Sequence, residues 1–292
     1  MAFLAAALIG LASCNFGRDD RATYIASANV AVNYPVVAMI VPGDQETGAI
    51  AFTNLASGTR FRLSTPGTSY NGVQRAAASG QFVVTFRKGD RYFLGTFDLR
   101  SRSVEVVGSS DRLSIPMFIG ESPCAGRPTT ITDKGQYDYF IECFSDHAVS
   151  ETSIPIVNYA YSAGREVTFL GLESGKNVAY SISLIDDKIT LSSRPIPMRF
   201  RPYAFYHGEE FYVFDRVEPH KVYIHRKQGF EEFDGKVADR VRKANLGGTD
   251  EIWFVDDSVL VTTSIDFSAG TFLVTIASEG SSRELEIDIY EN

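Results

Sequence analysis

The chain is poor in the residues from which many catalytic and metal sites are built. Among 292 residues there are four histidines, three cysteines and one tryptophan. No H-E-x-x-H, G-x-S-x-G or phosphate-cradling glycine loop occurs, which removes the hydrolase and nucleotide motifs recognisable on one segment. No cysteine pair has the C-x-x-C spacing of a zinc site. His220 and His225 are an odd number of residues apart, so on a strand they face opposite sides and do not share a metal. With His147 and His207 they read as rim or turn residues. No metal and no cofactor is expected. The formal charge is −8, and no basic run interrupts the acidic balance. That excludes the electrostatic footprint of nucleic-acid binding. No apolar run approaches the roughly 20 residues a membrane-spanning helix needs. Helical periodicity is almost absent.

What is present is a procession of short alternating runs rich in Val, Ile, Phe, Tyr and Thr, punctuated by Gly, Asp, Asn and Ser. This is the pattern of an all-β protein. A strand–turn–strand unit recurs at Ala49–Thr53 with Arg60–Ser64, Phe93–Leu99 with Ser103–Val107, and Tyr139–Phe144 with Thr152–Ile156. It returns at Ala179–Ile185 with Lys188–Leu191, Val222–His225 with Phe230–Phe233, and Phe272–Ala277 with Arg283–Ile289. The centres of the first strands fall near residues 51, 96, 141, 182, 223 and 274. A strand-only period of about 40–50 residues indicates a β-propeller with four strands per blade. Two further strands precede each pair, as at Val73–Ala77 with Phe82–Phe86 around Gly80. Six blades account for residues 23–292, with seven allowed if the ends interleave. Lys236 to Gly248 fits no blade and reads as a short basic helix or a long loop.

This repeat resembles six-bladed propellers of the TolB-like or NHL-like kind at the level of architecture. WD40 repeats are disfavoured, because Trp253 stands alone and no Trp-Asp pair recurs. The N-terminus resembles that of bacterial lipoproteins. Ala2 to Leu11 is apolar, and Leu11-Ala12-Ser13-Cys14 looks like a lipobox. The resemblance implies a signal peptide over 1–13, lipid on Cys14 and a polar tether over 14–22. Asn15, in place of an aspartate, implies the outer membrane. Acylation of Cys14 leaves Cys124 and Cys143, which are expected to pair in an oxidising envelope. On the blade assignment they lie on neighbouring strands of blade 3, one diagonal step from register. Their bond would close a loop of about 20 residues, worth ~3 kcal/mol in the chain-entropy model.

The residues expected to act are few. Propeller partners commonly meet the face carrying the second-to-third-strand loops and the inter-blade loops. Arg87–Arg91, Gly108–Arg112 and Thr65–Gly72 fall there, so Tyr70, Arg91 and Arg112 are candidate partner-binding residues of the types enriched at hot spots. Arg199, Arg201 and Tyr203 share one face of a first strand. With Arg75 they are candidates for holding a carboxylate or phosphate at the channel, although ion pairing between blades is the simpler reading. Two classes of function follow. One is a membrane-tethered, non-enzymatic propeller docking a protein partner in the cell envelope. The alternative is an exported hydrolase or lyase, or a glycan- or small-ligand-binding protein, with its site at the channel mouth.

Overall fold

A computed structural model describes residues 30–42, 48–76, 80–113, 115–120, 122–131, 137–144, 154–155, 158–160, 166–185, 188–198, 202–215, 221–244, 251–256, 258–266, 271–278 and 280–288. These residues form six sheets of four antiparallel strands, each sheet built from four consecutive strands. Blade 1 holds β1 (Val30–Asn33), β2 (Val36–Pro42), β3 (Gly48–Asn54) and β4 (Arg60–Leu63). Blade 2 holds β5 (Thr68–Arg75), β6 (Gln81–Lys88), β7 (Arg91–Asp98) and β8 (Ser103–Ser110). Blade 3 comprises β9 (Ile115–Ile119), β10 (Ser122–Ile131), β11 (Tyr137–Cys143) and β12 (Ile154–Pro155). Blade 4 comprises β13 (Asn158–Ala160), β14 (Glu166–Glu173), β15 (Lys176–Ile185) and β16 (Lys188–Pro195). Blade 5 is β17 (Pro202–His207), β18 (Glu210–Asp215), β19 (Val222–Arg226) and β20 (Gly229–Phe233). Blade 6 is β21 (Glu251–Phe254), β22 (Leu260–Asp266), β23 (Thr271–Ser278) and β24 (Ser281–Asp288). The count among the described residues is six, and the seven-blade alternative falls.

First strands of neighbouring blades approach each other between blades 1 and 2, 2 and 3, 4 and 5, and 5 and 6; in each sheet the fourth strand is the opposite edge from the first. The apolar side chains separate into clusters that each bridge one pair of blades. Ile50, Phe52, Phe82 and Phe97 bridge blades 1 and 2, and Leu94 and Ala125 bridge blades 2 and 3. Met117, Ile141, Phe169 and Ile182 bridge blades 3 and 4, and Leu170, Phe211 and Val213 bridge blades 4 and 5. Phe205, Phe214, Ile252 and Phe254 bridge blades 5 and 6. The ring closes through Val30, Val32, Leu55, Trp253, Phe272 and Ile287, which pack blade 6 against blade 1. Both faces of a blade are thus covered, which is why second strands such as β6 are buried at five successive positions. Burying one such aromatic or aliphatic side chain contributes roughly 1.5–3 kcal/mol.

This geometry corrects one sequence expectation. Alternate residues of a first strand point into the two flanking blade interfaces, because the sheet stands radially. On β17, Tyr203 and Phe205 join the interface with blade 6, whereas Ala204 and Tyr206 pack toward blade 4. Sharing a face therefore places side chains in one blade interface, not together in the channel.

Close approach explains two glycines. A Cβ on Gly48 would stand 2.0 Å from the Tyr70 carbonyl oxygen, and one on Gly108 would stand 1.8 Å from the Phe144 ring. The Gly48 N–H donates to Ser69 Oγ at 2.9 Å, tying blade 1 to blade 2. The segment after blade 5 supplies α1 (Lys236–Lys243), whose Val237, Ala238 and Val241 are buried. These wedge the helix between blades 5 and 6, where Arg240 Nη2 donates to the Ala277 carbonyl at 2.9 Å.

Cys124 and Cys143 are disulfide-bonded. They are direct partners in the β10–β11 register, not diagonal ones. The expected diagonal offset does not hold, because the β10–β11 register shifts between Pro128 and Ile131. Cys14 lies outside the described residues.

Candidate docking surface

The connections between second and third strands and between blades share one face, here called upper. At the upper corner of blade 2, β6 turns into β7 through Gly89, whose φ of 59° suits glycine. The register sets Lys88 opposite Arg91 and Arg87 opposite Tyr92, which in turn faces Ser110 on β8. Arg91 Nη2 donates to Ser109 Oγ at 2.7 Å. Arg112 follows Ser110 by two residues, so the fold brings Arg112 to the corner that carries Arg91. Arg87, Lys88, Arg91 and Arg112 are all exposed. Against Asp90 and Asp111 they leave a local positive excess on a chain of net charge −8. The loop that follows is pinned, because Asn71 Nδ2 donates to the Leu113 carbonyl at 3.1 Å. A pinned loop loses less conformational freedom on binding.

Tyr70 does not belong to this surface. It is 3% exposed within the core between blades 1 and 2. Its ring lies 5.5 Å from Phe86, and its hydroxyl is 3.2 Å from Thr65 Oγ1. Burial raises the pKa of the phenol. Thr65–Gly72 is not all loop: its strand begins at Thr68, and a bulge between Tyr70 and Gly72 turns the ring inward. Arg87 and Lys88 join this corner, and the run Phe86-Arg87-Lys88-Gly89-Asp90-Arg91 carries the signal for them in the sequence.

The two described channel candidates, Tyr203 and Arg75, do not meet. Tyr203 is 5% exposed and stacks on Phe214 at 5.2 Å between centroids, within the blade 5–6 core. Arg75 is half-buried at the end of β5, on the opposite face of the ring from the upper corner. Arg199, Arg201, His147 and His220 lie outside the described residues.

A second polar group, unforeseen from sequence, sits near the lower end of the blade 4–5 interface. Tyr206 Oη lies 2.6 Å from Thr168 Oγ1 and donates over 3.5 Å to Glu166 Oε1. Thr168 Oγ1 is also 3.0 Å from Ser181 Oγ. Burial, helped by the nearby Glu166 charge, pushes the Tyr206 pKa upward. The phenol therefore stays protonated and acts as a hydrogen-bond donor. Burial lowers the pKa of His225, whose Nε2 has no hydrogen-bond partner. Its ring packs 5.0 Å from Phe230. The tyrosine, threonine and serine bond β14, β15 and β17 together across the interface. Among the described residues, no group of three or more His, Cys, Asp or Glu is placed to hold a metal.

No protein-family model matches the chain, and no curated protein sequence does. Solved structures do match in shape. TolB from Acinetobacter baumannii superposes with a TM-score of 0.57 at 12% identity, covering 87% of this chain and 64% of that one. The fold is a TolB-like β-propeller. Acylaminoacyl peptidase from Pyrococcus horikoshii gives a TM-score of 0.51 at 11% identity, covering 93% of this chain and 48% of that one. This chain thus spans less than two thirds of the length of TolB and about half that of the peptidase. At such identities the likeness concerns the fold alone.

Proposed function

We propose that this chain is a lipid-tethered, non-enzymatic propeller that docks a protein partner in the bacterial cell envelope through its upper face. The observation that carries this reading is the basic corner of blade 2. Arg87, Lys88, Arg91 and Arg112 converge there, exposed and backed by a pinned loop, on an otherwise acidic chain. Such a corner favours a partner presenting carboxylates, since each guanidinium offers several donors in a fixed fork. Exposed charges mainly raise the rate of encounter and set orientation, and salt weakens them. The resemblance of residues 11–14 to a lipobox supports the tether, and Asn15 supports the outer membrane. The TolB-like fold supports the reading only in so far as propellers commonly present such faces to partners.

The test is co-purification from envelope extracts, comparing the parent with an Arg87→Glu, Arg91→Glu and Arg112→Glu triple variant. Loss of the partner with an unchanged melting temperature is expected, because exposed substitutions typically shift stability by no more than about 0.5 kcal/mol each. Equal recovery by the triple variant would remove the proposal.

A further inference from the structure

The rim strands of the blades differ in how they are protected. An edge strand presents unpaired N–H and C=O groups, and proteins usually blunt such edges with charge, bulges or shortness. Strand β4 is four residues long and carries Arg60 and Arg62. Strand β8 meets a register shift at Leu94/Gly95. Only two residues of β12 are described as strand. Strand β20 carries Glu231 and Glu232, and β24 carries Arg283, Glu284, Glu286 and Asp288.

Strand β16 has none of these devices along its middle. It pairs with β15 over eight consecutive residue pairs without a bulge. Seven of its eight residues are exposed. Ile189 to Ser193 carry no charge, and Leu191 stands 42% exposed. The hydroxyls inward of the edge are engaged within the blade, with Thr190 Oγ1 2.7 Å from Ser183 Oγ. Among the described residues no strand pairs with the outer edge of β16, which leaves it as a template.

We infer that β16 accepts an extended segment of another protein as a fifth strand of blade 4. Alternation sets the chemistry of the segment. Lys188, Thr190, Ser192 and Arg194 lie on the face toward blade 5, and Ile189 and Leu191 on the face toward blade 3. A fitting strand places a carboxylate opposite Arg194 and a branched apolar residue opposite Leu191, three residues apart. Main-chain bonds supply affinity and these two side chains supply selectivity. A second copy of this chain fits poorly. Antiparallel self-pairing centred on Leu191 would set Arg194 of each copy directly opposite Lys188 of the other, with like charges opposed.

This inference goes beyond the docking corner on blade 2, which is a different surface. The probe is a fluorescent seven-residue peptide with aspartate at both ends, valine at the fourth position and threonine elsewhere. It satisfies the pattern in either strand direction. Its binding to the purified full-length protein is followed by anisotropy, with amide hydrogen exchange as a second readout. Saturable binding is expected, with slowed exchange confined to residues 188–195. Leu191→Lys or Ser192→Glu should weaken it at least tenfold, as should replacing the terminal aspartates by lysine. Three results would overturn the inference: no binding at millimolar peptide, affinity unchanged in Leu191→Lys, or protection located elsewhere. A native dimer dissolved by Leu191→Lys would also overturn it, by assigning the edge to a second copy. None of these outcomes depends on the residues of the blade 2 corner, so the two proposals fail separately.

Discussion

The joint between blades 6 and 1 contains no exchanged strand among the described residues, since each sheet is drawn from one contiguous stretch of chain. Side-chain packing and two guanidinium contacts close it. Arg60 Nη2 donates to the Glu286 carbonyl at 3.3 Å, and Arg283 Nη1 to the Leu55 carbonyl at 3.4 Å. Leu55 is fully buried at this joint. Leu55→Ala removes three buried carbons and leaves a cavity, at a cost of about 3 kcal/mol. With a urea m-value of about 3 kcal/mol/M, the midpoint should fall by about 1 M. Trp253, the single tryptophan, is 7% exposed in the same cluster, so its emission reports the joint. In Leu55→Ala the fluorescence transition should precede the loss of far-ultraviolet β signal, because the joint parts before the blades unfold. Leu170→Ala, a comparable loss between blades 4 and 5, should lower both transitions together. Coincident transitions in Leu55→Ala, or separated ones in Leu170→Ala, would refute the reasoning.

Other outcomes follow from the same geometry. Cys124→Ala combined with Cys143→Ala should lower stability by about 3 kcal/mol, from a loop of about 20 residues, as read by urea denaturation of oxidised parent and double variant. Ser174 and Gly175 form a two-residue hairpin turn with φ of 50° and 78°, so Ser174→Asn should stabilise by about 0.5 kcal/mol in thermal melts. Burial depresses the pKa of folded His225 below its unfolded value near 6.5. The unfolded chain then binds the extra proton first, so stability present above pH 6.5 is lost as the pH falls toward the folded value. His225→Gln should flatten the slope of stability between pH 7 and 5 in denaturant titrations at each pH.

The repeat was legible because its turns are marked. Gly58, Gly80 and Gly208 all adopt positive φ where the sequence breaks from one strand to the next. The blade count followed from that spacing. The direction of side chains did not, because alternation in a radial blade divides residues between two buried interfaces. Tyr203 and Tyr70 were misplaced for that reason and for the bulge beside Tyr70. Asn54 Oδ1 accepts the N–H groups of Ala56 and Ser57, and Asp98 Oδ1 those of Arg100 and Ser101, so blades 1 and 2 share one turn chemistry. These bonds hold the Asp98 pKa below the usual carboxylate value. Of the candidate site, Arg91 and Arg112 were found from loop position alone. Their meeting with Arg87 and Lys88 depends on the β6–β7–β8 register, which sequence does not specify. The network around Tyr206 joins residues 40 positions apart across two blades, and no local pattern marks it.

The most direct test of the tethered docking account is in-cell photocrosslinking from position 112, with a probe at Ser101 on the lower face as control. The account predicts one dominant envelope protein captured from position 112 and not from 101, lost in Cys14→Ala and in the Arg87→Glu/Arg91→Glu variant. No specific adduct at 112, the same adducts at both positions, or capture indifferent to Cys14→Ala would contradict it.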